Sequence, residues 1–215
     1  MLRINSLSPD FEANSTHGTI KFHDYIHNSW AILFSHPKDF TPVCTTELGY
    51  MGQIQKEFEK RNCKILGLSI DSVEDHNKWK NDIEEVSGVK IDYPLISDSN
   101  LSVAKLFNML PSDENASENR TAMTNATVRS VFLVDTEKKI RMMLTYPMTT
   151  GRNFNEILRV LDSIQLTSKQ KVATPVNWKK GEEVIIVPAL SDEEARDIFK
   201  SFRTVKPYLR YTKLK

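Results

Sequence analysis

Short apolar runs that alternate with helical patterns are the strongest constraint on the fold of this chain. The runs cover residues 30–34, 64–70, 130–134 and 140–146. Runs of this length, bounded by polar residues, are typical of strands that are buried in a sheet. Strands and helices that alternate along a chain pack in layers, with the helices on the faces of a central sheet. The pattern therefore predicts an α/β fold.

Two stripes of apolar residues predict helices that cover this sheet. One runs from Phe154 to Ile164 at spacings of three and four residues, and the other is marked by Trp79, Ile83 and Val86. Such stripes pack in a core far more often than they bind a cofactor. We therefore expect these side chains to be buried against the sheet.

Length and composition exclude several classes of protein. The chain has 215 residues, of which 40% are hydrophobic, and this is enough for one large core with an appendage. Two cysteines cannot form a disulfide scaffold, and no apolar run has the length of a transmembrane helix. Residues 1–10 lack the features of a signal peptide, so we expect a cytoplasmic protein with reduced thiols and no stable membrane association. A net charge of +1 without a basic block argues against nucleic acid as a partner.

The remaining segments suggest how the chain is divided. Residues 111–126 are polar and without periodicity, which predicts an exposed loop to which no role is assigned. Residues 183–187 predict a strand, and residues 191–202 predict a capped helix. We expect one domain in residues 1–168 and a smaller C-terminal extension in residues 169–215.

One of the two cysteines, Cys44, lies where a thiolate is favoured. Thr41 and Pro42 precede it and are typical of an N-cap and a first helical residue, with the threonine side chain accepting a backbone N–H. Apolar residues then recur at helical spacing from Leu48 to Phe58. Cys44 is therefore expected at the third helical position, where free N–H groups and the helix dipole stabilise negative charge.

The helix alone is too weak to ionise this cysteine. A thiol that is mostly thiolate at pH 7 needs about 3.4 kcal/mol more preference for the charged form than an ordinary cysteine has. A helix N-terminus supplies about 0.3–1 kcal/mol, or about 2 kcal/mol when it is partly buried. A hydrogen bond from arginine supplies about 1.5–3 kcal/mol. We therefore expect an arginine from elsewhere in the chain to contact Cys44.

The residues around Cys44 resemble the peroxidatic-cysteine signature of the peroxiredoxins. The signature occupies residues 40–47 (FTPVCTTE), and the flanking residues 35–37 (SHP) and 48–49 (LG) narrow the resemblance to the one-cysteine, peroxiredoxin 6 type. The likeness extends over essentially the whole chain, through residues 149–154, 171–178 and 208–212. It implies a thioredoxin-like fold with a mixed central sheet and a peroxidase that needs no bound cofactor and no metal. It also implies a homodimer in which the C-terminal extension takes part.

The resemblance assigns roles to the residues of the signature and to one distant arginine. Cys44 attacks one oxygen of a hydroperoxide and becomes a sulfenic acid, the first step of cysteine oxidation. Thr41 and the backbone N–H groups of Val43 and Cys44 hold the peroxide. Arg129 stabilises the thiolate and the charge that develops on the leaving oxygen, and Pro42 shields the site from water.

Three further residues are expected to support the site. Arg152 matches a second active-site arginine of the family, and Glu47 is expected to bind Arg129 or Arg152 and to aim the guanidinium. His36 resembles a histidine that lines the pocket, where it can tune the sulfur or the sulfenate. Packing alone explains a histidine at this position equally well.

The second cysteine, Cys63, opens a predicted strand, and we expect it to be a small buried hydrophobe without a redox role. No cysteine follows it, whereas two-cysteine members carry their resolving cysteine in the C-terminal part of the chain. An external thiol is therefore expected to reduce Cys44. Glutathione, a thioredoxin-like protein and a glutathione transferase partner all remain open as the reductant.

Other functions have weaker support in the sequence. A thioredoxin-type oxidoreductase needs a Cys-x-x-Cys pair, but Glu47 stands three residues after Cys44. A Cys-His hydrolase is a competing hypothesis, as is a peroxide sensor or holdase that is oxidised without turnover. The lipase-like motif of the subfamily has lost both of its glycines around Ser29, so phospholipase activity with His23 and Glu137 is a weak hypothesis.

Overall fold

The computed structural model describes residues 2–112 and 126–214. The chain forms two compact units, Met1–Arg152 and Asn153–Lys215. The predicted domain boundary after residue 168 stays a prediction, and the predicted loop at residues 111–126 lies almost wholly outside the described residues. Among the described helices, none has both the length and the apolar character that crossing a membrane requires.

The first unit carries the central sheet and the helices that cover it. Its strands are β1 (Glu12–Ser15), β2 (Gly18–Lys21), β3 (Trp30–Ser35), β4 (Cys63–Ser69), β5 (Leu95–Ser97), β6 (Arg129–Val134) and β7 (Ile140–Tyr146). Its helices are α1 (Phe22–Tyr25), α2 (Pro42–Glu59), α3 (Val73–Ser87) and α4 (Ser102–Leu106). The four strands that the sequence predicted are β3, β4, β6 and β7.

These strands form one mixed sheet in the order β2-β1-β5-β4-β3-β6-β7. The central strand β3 pairs in parallel with β4 and antiparallel with β6. Every residue of β3 is buried, because the strand lies in the middle of a sheet whose faces are covered. The prediction of an α/β fold with a mixed central sheet is confirmed.

The predicted stripe on α3 is only partly correct. Trp79 and Ile83 are fully buried, but Val86 is 68% exposed. The reason is visible where α3 meets α2: the side chains closest to Gly49 of α2 belong to Ser87 and Ile83. Ile83 and Ser87, which lie one turn apart, therefore form the face of α3 that contacts α2. Val86 points away from this contact.

The second unit is built from α5 (Phe154–Thr167), α6 (Asp192–Phe199) and a small antiparallel sheet. Its strands are β8 (Val172–Ala173), β9 (Val184–Ile186), β10 (Arg203–Lys206) and β11 (Leu209–Thr212), in the order β10-β11-β9-β8. The predicted strand at 183–187 corresponds to β9, and the predicted helix at 191–202 corresponds to the shorter α6. Ser191 caps α6 through a reciprocal capping box with Glu194, as the sequence predicted.

Candidate active site

Cys44 lies in the first turn of α2, at the position that the sequence predicted. Thr41 is the N-cap residue, with extended backbone angles (φ −118°, ψ 147°), and Pro42 is the first helical residue. Cys44 is therefore the third helical residue, and its side chain is 0% exposed. The N–H groups of Val43 and Cys44 belong to the part of the helix that has no carbonyl acceptor one turn earlier, so they are available to a ligand.

The hydroxyl of Thr41 does not cap the helix, and this part of the prediction is wrong. Its side chain makes no capping hydrogen bond, because the Oγ1 hydroxyl donates instead to the carbonyl oxygen of Lys38 at 2.8 Å. The hydroxyl hydrogen is therefore already used within the loop that precedes α2. The oxygen lone pairs remain available to accept a hydrogen bond.

Arg129, the first residue of β6, brings a guanidinium to the sulfur of Cys44. Its Nη1 lies 3.4 Å from Sγ, and its Nε donates to the carbonyl oxygen of Met148 at 2.8 Å. The residue is 2% exposed, so little water separates the two groups. Burial strengthens their attraction because the effective dielectric constant is lower than in water.

Glu47, one turn after Cys44 on α2, binds both arginines of the site. Its Oε2 accepts from Nη1 of Arg129 and from Nη2 of Arg152, both at 2.7 Å. Its Oε1 accepts from the backbone N–H and from Nε of Arg152, at 2.8 and 2.9 Å. Burial opposes ionisation of this carboxyl, but the hydrogen bonds and the charge of Arg152 outweigh it and hold the pKa of Glu47 below its ordinary value.

Arg152 is fixed by the ends of two strands as well as by Glu47. Its Nη1 donates to the carbonyl oxygens of Ser35 at 2.8 Å and Ser130 at 3.0 Å. Its guanidinium also lies over the ring of Phe34, 5.1 Å from the centroid. Burial lowers the pKa of Arg152, while Glu47 and, more weakly, Cys44 favour its charged form. The side chain thus supplies a fixed positive charge behind the site.

His36 belongs to a buried network whose other members the sequence analysis missed. Its Nε2 lies 2.7 Å from Oδ1 of Asp39, and Nδ1 of His76 lies 2.5 Å from Oδ2 of the same carboxylate. Burial opposes the charge of Asp39, but the two imidazoles outweigh it and lower its pKa to about 2. Asp39 follows His36 by three residues and could have been noticed. His76 lies on α3, and no pattern in the sequence links it to the site.

The same three side chains form the one group in the described ranges with the spacing of a metal site. Their nitrogen and oxygen atoms lie within 4.8 Å of one another. However, each carboxylate oxygen of Asp39 already accepts a hydrogen bond from an imidazole, so the carboxylate is satisfied without an ion. We therefore interpret the group as a hydrogen-bond network.

Cys63 lies away from this site. It is the first residue of β4 and pairs with Trp30, the first residue of β3, whereas Cys44 follows the other end of β3. A strand of this length spans about 16 Å, while the Cα atoms of a disulfide lie within about 7 Å. The side chain is buried, and burial raises the pKa of the Cys63 thiol. These observations agree with a packing role.

The residues of the lipase-like hypothesis do not come together. Ser29 donates to Oδ1 of Asn62 at 3.1 Å, and the ring of His23 contacts Ser8 instead. Glu137 pairs with Lys139. The structure therefore contains no Ser-His-acid arrangement among these residues, and it gives the phospholipase hypothesis no support.

Known proteins resemble this chain over its whole length. Residues 4–143 match the AhpC/TSA family, and residues 163–201 match the C-terminal domain of 1-Cys peroxiredoxin. Peroxiredoxin PRX1, mitochondrial, of Saccharomyces cerevisiae is 50% identical over 215 residues, which cover 100% of this chain and 82% of that protein. The 1-Cys peroxiredoxin of Dictyostelium discoideum is 51% identical over 213 residues, which cover 98% of this chain and 85% of that protein.

Solved structures show the same similarity. A crystal structure of peroxiredoxin 6 of Arenicola marina has a TM-score of 0.92 and 44% identity, covering 100% of this chain and 99% of that chain. The yeast mitochondrial 1-Cys peroxiredoxin, described with its thiol resolving mechanism via glutathione/thioredoxin systems, has a TM-score of 0.89 and 47% identity, covering 100% of both chains.

Proposed function

Because the chain belongs to the 1-Cys peroxiredoxins of the AhpC/TSA family, we propose that Cys44, Thr41, Arg129 and Pro42 carry out its thiol-dependent reduction of peroxides. The observation that carries this assignment is the contact of 3.4 Å between Nη1 of Arg129 and Sγ of Cys44, in the first turn of a helix. The helix terminus and the arginine hydrogen bond both favour negative charge on the sulfur, which is the form that attacks a peroxide.

The first chemical step transfers one oxygen atom to sulfur. The thiolate of Cys44 attacks the nearer oxygen of the hydroperoxide, an S–O bond forms, and the O–O bond breaks. Sulfur is oxidised by two electrons, and the departing oxygen takes a proton to become water or an alcohol. Arg129 donates to the developing negative charge, and the lone pairs of Thr41 accept from the peroxide O–H. Pro42, exposed at the first helical position, limits access of water.

An external thiol completes the cycle. One thiol attacks the sulfenic acid to form a mixed disulfide and water, and a second thiol releases Cys44 and forms the oxidised disulfide of the reductant. The burial of Cys63, at the other end of β3, supports this route over an internal disulfide. The yeast relative is described with glutathione/thioredoxin systems, and we propose the same class of reductant here.

Trapping of the sulfenic acid tests this assignment. One equivalent of hydrogen peroxide is added in the presence of a sulfenic-acid trap, and the modified residue is identified by peptide mapping. Fast labelling of Cys44, with Cys63 in the same chain unmodified as the internal control, supports the proposal. Equal and slow labelling of both cysteines would refute the activation of Cys44. Fast oxidation without turnover by glutathione or thioredoxin would favour the alternative of a sensor or holdase.

We further propose that the chain forms a homodimer through the outer edge of β7. This strand ends the sheet order, and Ile140 at its start exchanges hydrogen bonds with residues 5 and 6. Beyond that point, no strand in the described part of the chain pairs with the edge. An unpaired edge is a template for another strand, and a second copy related by two-fold symmetry satisfies it.

Sedimentation velocity tests the dimer with a matched pair of variants. Met143 lies on β7 and is 37% exposed, so Met143→Glu would place two carboxylates near each other in the proposed interface. Val86→Glu places the same charge on α3, away from this edge. We expect a dimer for the wild type and for Val86→Glu, and a monomer for Met143→Glu. A monomeric wild type would overturn the proposal.

We propose a cytoplasmic location because the two cysteines are free and buried rather than bridged. The yeast relative is named as mitochondrial, so the comparison gives this point no support. Fractionation of cells that express the full chain decides it, and recovery with mitochondria would overturn the proposal.

A further inference from the structure

We propose that His76 is a positioning residue of the peroxidase site, which acts through Asp39 to hold His36 in the tautomer whose bare Nδ1 accepts a hydroxyl hydrogen at the site. This inference rests on the proposed function of Cys44. It concerns three buried side chains that the chemistry described above does not use. All three are at most 2% exposed.

The carboxylate of Asp39 fixes the hydrogens on the facing nitrogens. Its lowered pKa means that it is ionised at neutral pH, and an ionised carboxylate only accepts hydrogen bonds. Nε2 of His36 and Nδ1 of His76 must therefore both carry a hydrogen, at 2.7 and 2.5 Å from its two oxygens. The backbone N–H of Asp39 donates to Oδ2 of Asp71 at 2.9 Å. The carboxylate thus has one fixed orientation.

The second nitrogen of His76 contacts the backbone of the neighbouring strand. Nε2 lies 3.2 Å from the carbonyl oxygen of Ile96. His76 therefore connects Asp39 to this carbonyl group. Its ring lies between α3, which carries His76, and β5, which carries Ile96.

His36 is left with one unused nitrogen. Its Nε2 hydrogen points to Asp39, and its Nδ1 is a buried atom without a hydrogen-bond partner in the described part of the chain. Burial lowers the pKa of His36, and the neighbouring His76 acts in the same direction, while Asp39 and Asp71 oppose it. The ring is therefore neutral, and Nδ1 is an acceptor that lacks a donor.

Two contacts connect His36 and its neighbour Ser35 with residues around the Cys44 site. The ring of His36 packs 5.2 Å from that of Trp79, whose Nε1 donates to Oγ1 of Thr45, the residue after Cys44. Ser35, the residue before His36, accepts a hydrogen bond from Arg152 through its carbonyl oxygen. The peroxide and the sulfenic acid of Cys44 each bring an O–H group to this region, and either can supply the missing hydrogen.

Nitrogen NMR of the reduced wild-type protein tests the assignment directly. Long-range correlations within the imidazole rings show which nitrogens carry a hydrogen between pH 6 and 8. We expect His76 to carry a hydrogen on Nδ1, and His36 to carry one on Nε2 only. A His76 without a hydrogen on Nδ1, or a hydrogen on Nδ1 of His36, would overturn the proposal without any variant. Neither measurement depends on whether Cys44 reacts with peroxide.

The kinetic arm compares His76→Gln with His27→Gln, which changes an exposed histidine. We expect His76→Gln to alter the tautomer of His36. We also expect about a tenfold change in one of two rates: the oxidation of Cys44 by peroxide, or its further oxidation beyond the sulfenic acid. Slower oxidation of Cys44 identifies the peroxide as the donor, and faster oxidation beyond the sulfenic acid identifies the sulfenic acid. If both rates and the tautomer match His27→Gln, His76 only packs. A wild type that oxidises slowly would instead refute the peroxidase function and leave the NMR result intact.

Discussion

Replacement of Glu47 by glutamine separates two effects that its carboxylate has on Cys44. The carboxylate aims Arg129, but it also repels a thiolate. Nη1 of Arg129 lies 3.4 Å from Sγ and 2.7 Å from Oε2. The two negative charges are therefore at most about 6 Å apart, which at an effective dielectric constant of about 20 corresponds to a repulsion of about 3 kcal/mol. The variant removes this repulsion.

The sign of the effect on the rate depends on whether Cys44 is already ionised. If the helix and Arg129 already keep Cys44 as a thiolate, removing the repulsion from Glu47 does not increase the amount of thiolate. It only stabilises the thiolate further and so reduces its nucleophilicity. With a Brønsted slope of about 0.4–0.5, stabilisation by about 3 kcal/mol raises the barrier by about 1.3 kcal/mol, or about tenfold in rate. The carboxylate of the wild type accepts four hydrogen bonds from the two arginines, two on each oxygen. In the glutamine variant an NH2 group replaces one oxygen and faces two of these donors.

Quenched-flow measurement of free Cys44 thiol after mixing with hydrogen peroxide gives this rate. We expect Glu47→Gln to react about tenfold more slowly and to unfold in urea with about 3 kcal/mol less stability, because it leaves buried charges partly unpaired. Glu59→Gln, an exposed change at the end of the same helix, is the control. A faster variant would show that Cys44 is mostly thiol in the wild type and refute the reasoning. An unchanged rate would remove Glu47 from the catalytic site.

Three further outcomes follow from the geometry. Cys63→Ser should leave peroxide consumption nearly unchanged, and a loss of turnover without unfolding would contradict its packing role. Arg129→Lys keeps the positive charge but loses the guanidinium, which donates to Sγ of Cys44, to Glu47 and to the carbonyl oxygen of Met148. The rate constant for reaction with hydrogen peroxide should therefore fall by about 10- to 100-fold. A decrease of less than twofold would show that the charge alone is sufficient. The depressed pKa of Asp39, about 2, adds stability that is fully present above its ordinary value of 3.8 and is lost as the pH falls toward 2. Urea unfolding between pH 5 and pH 2.5 should therefore show a smaller acid loss in Asp39→Asn than in the wild type, and parallel curves would contradict this.

Local patterns in the sequence determined the main strands, the helix that begins after Thr41 and the third position of Cys44 in it. These features depend on residues that are neighbours along the chain, so periodicity and capping residues report them. The same patterns failed where a neighbour in space decided the outcome. Val86 belongs to a regular apolar stripe but is exposed, because the edge of α3 that carries Ser87 contacts α2. The hydroxyl of Thr41 fits a cap but donates to Lys38.

The resemblance to a family, and not any pattern in the residues, pointed to Arg129 and Arg152. Only the tertiary structure brought Glu47 into contact with both, across 82 and 105 positions of the chain. His76 had no signal at all, since its partner Asp39 lies 37 positions away on another element. A buried ion pair depends on which side chains meet after the sheet and helices pack, and no periodicity records that choice. The sequence by itself therefore determined where the reactive sulfur lies, and the packed structure decided which charges surround it.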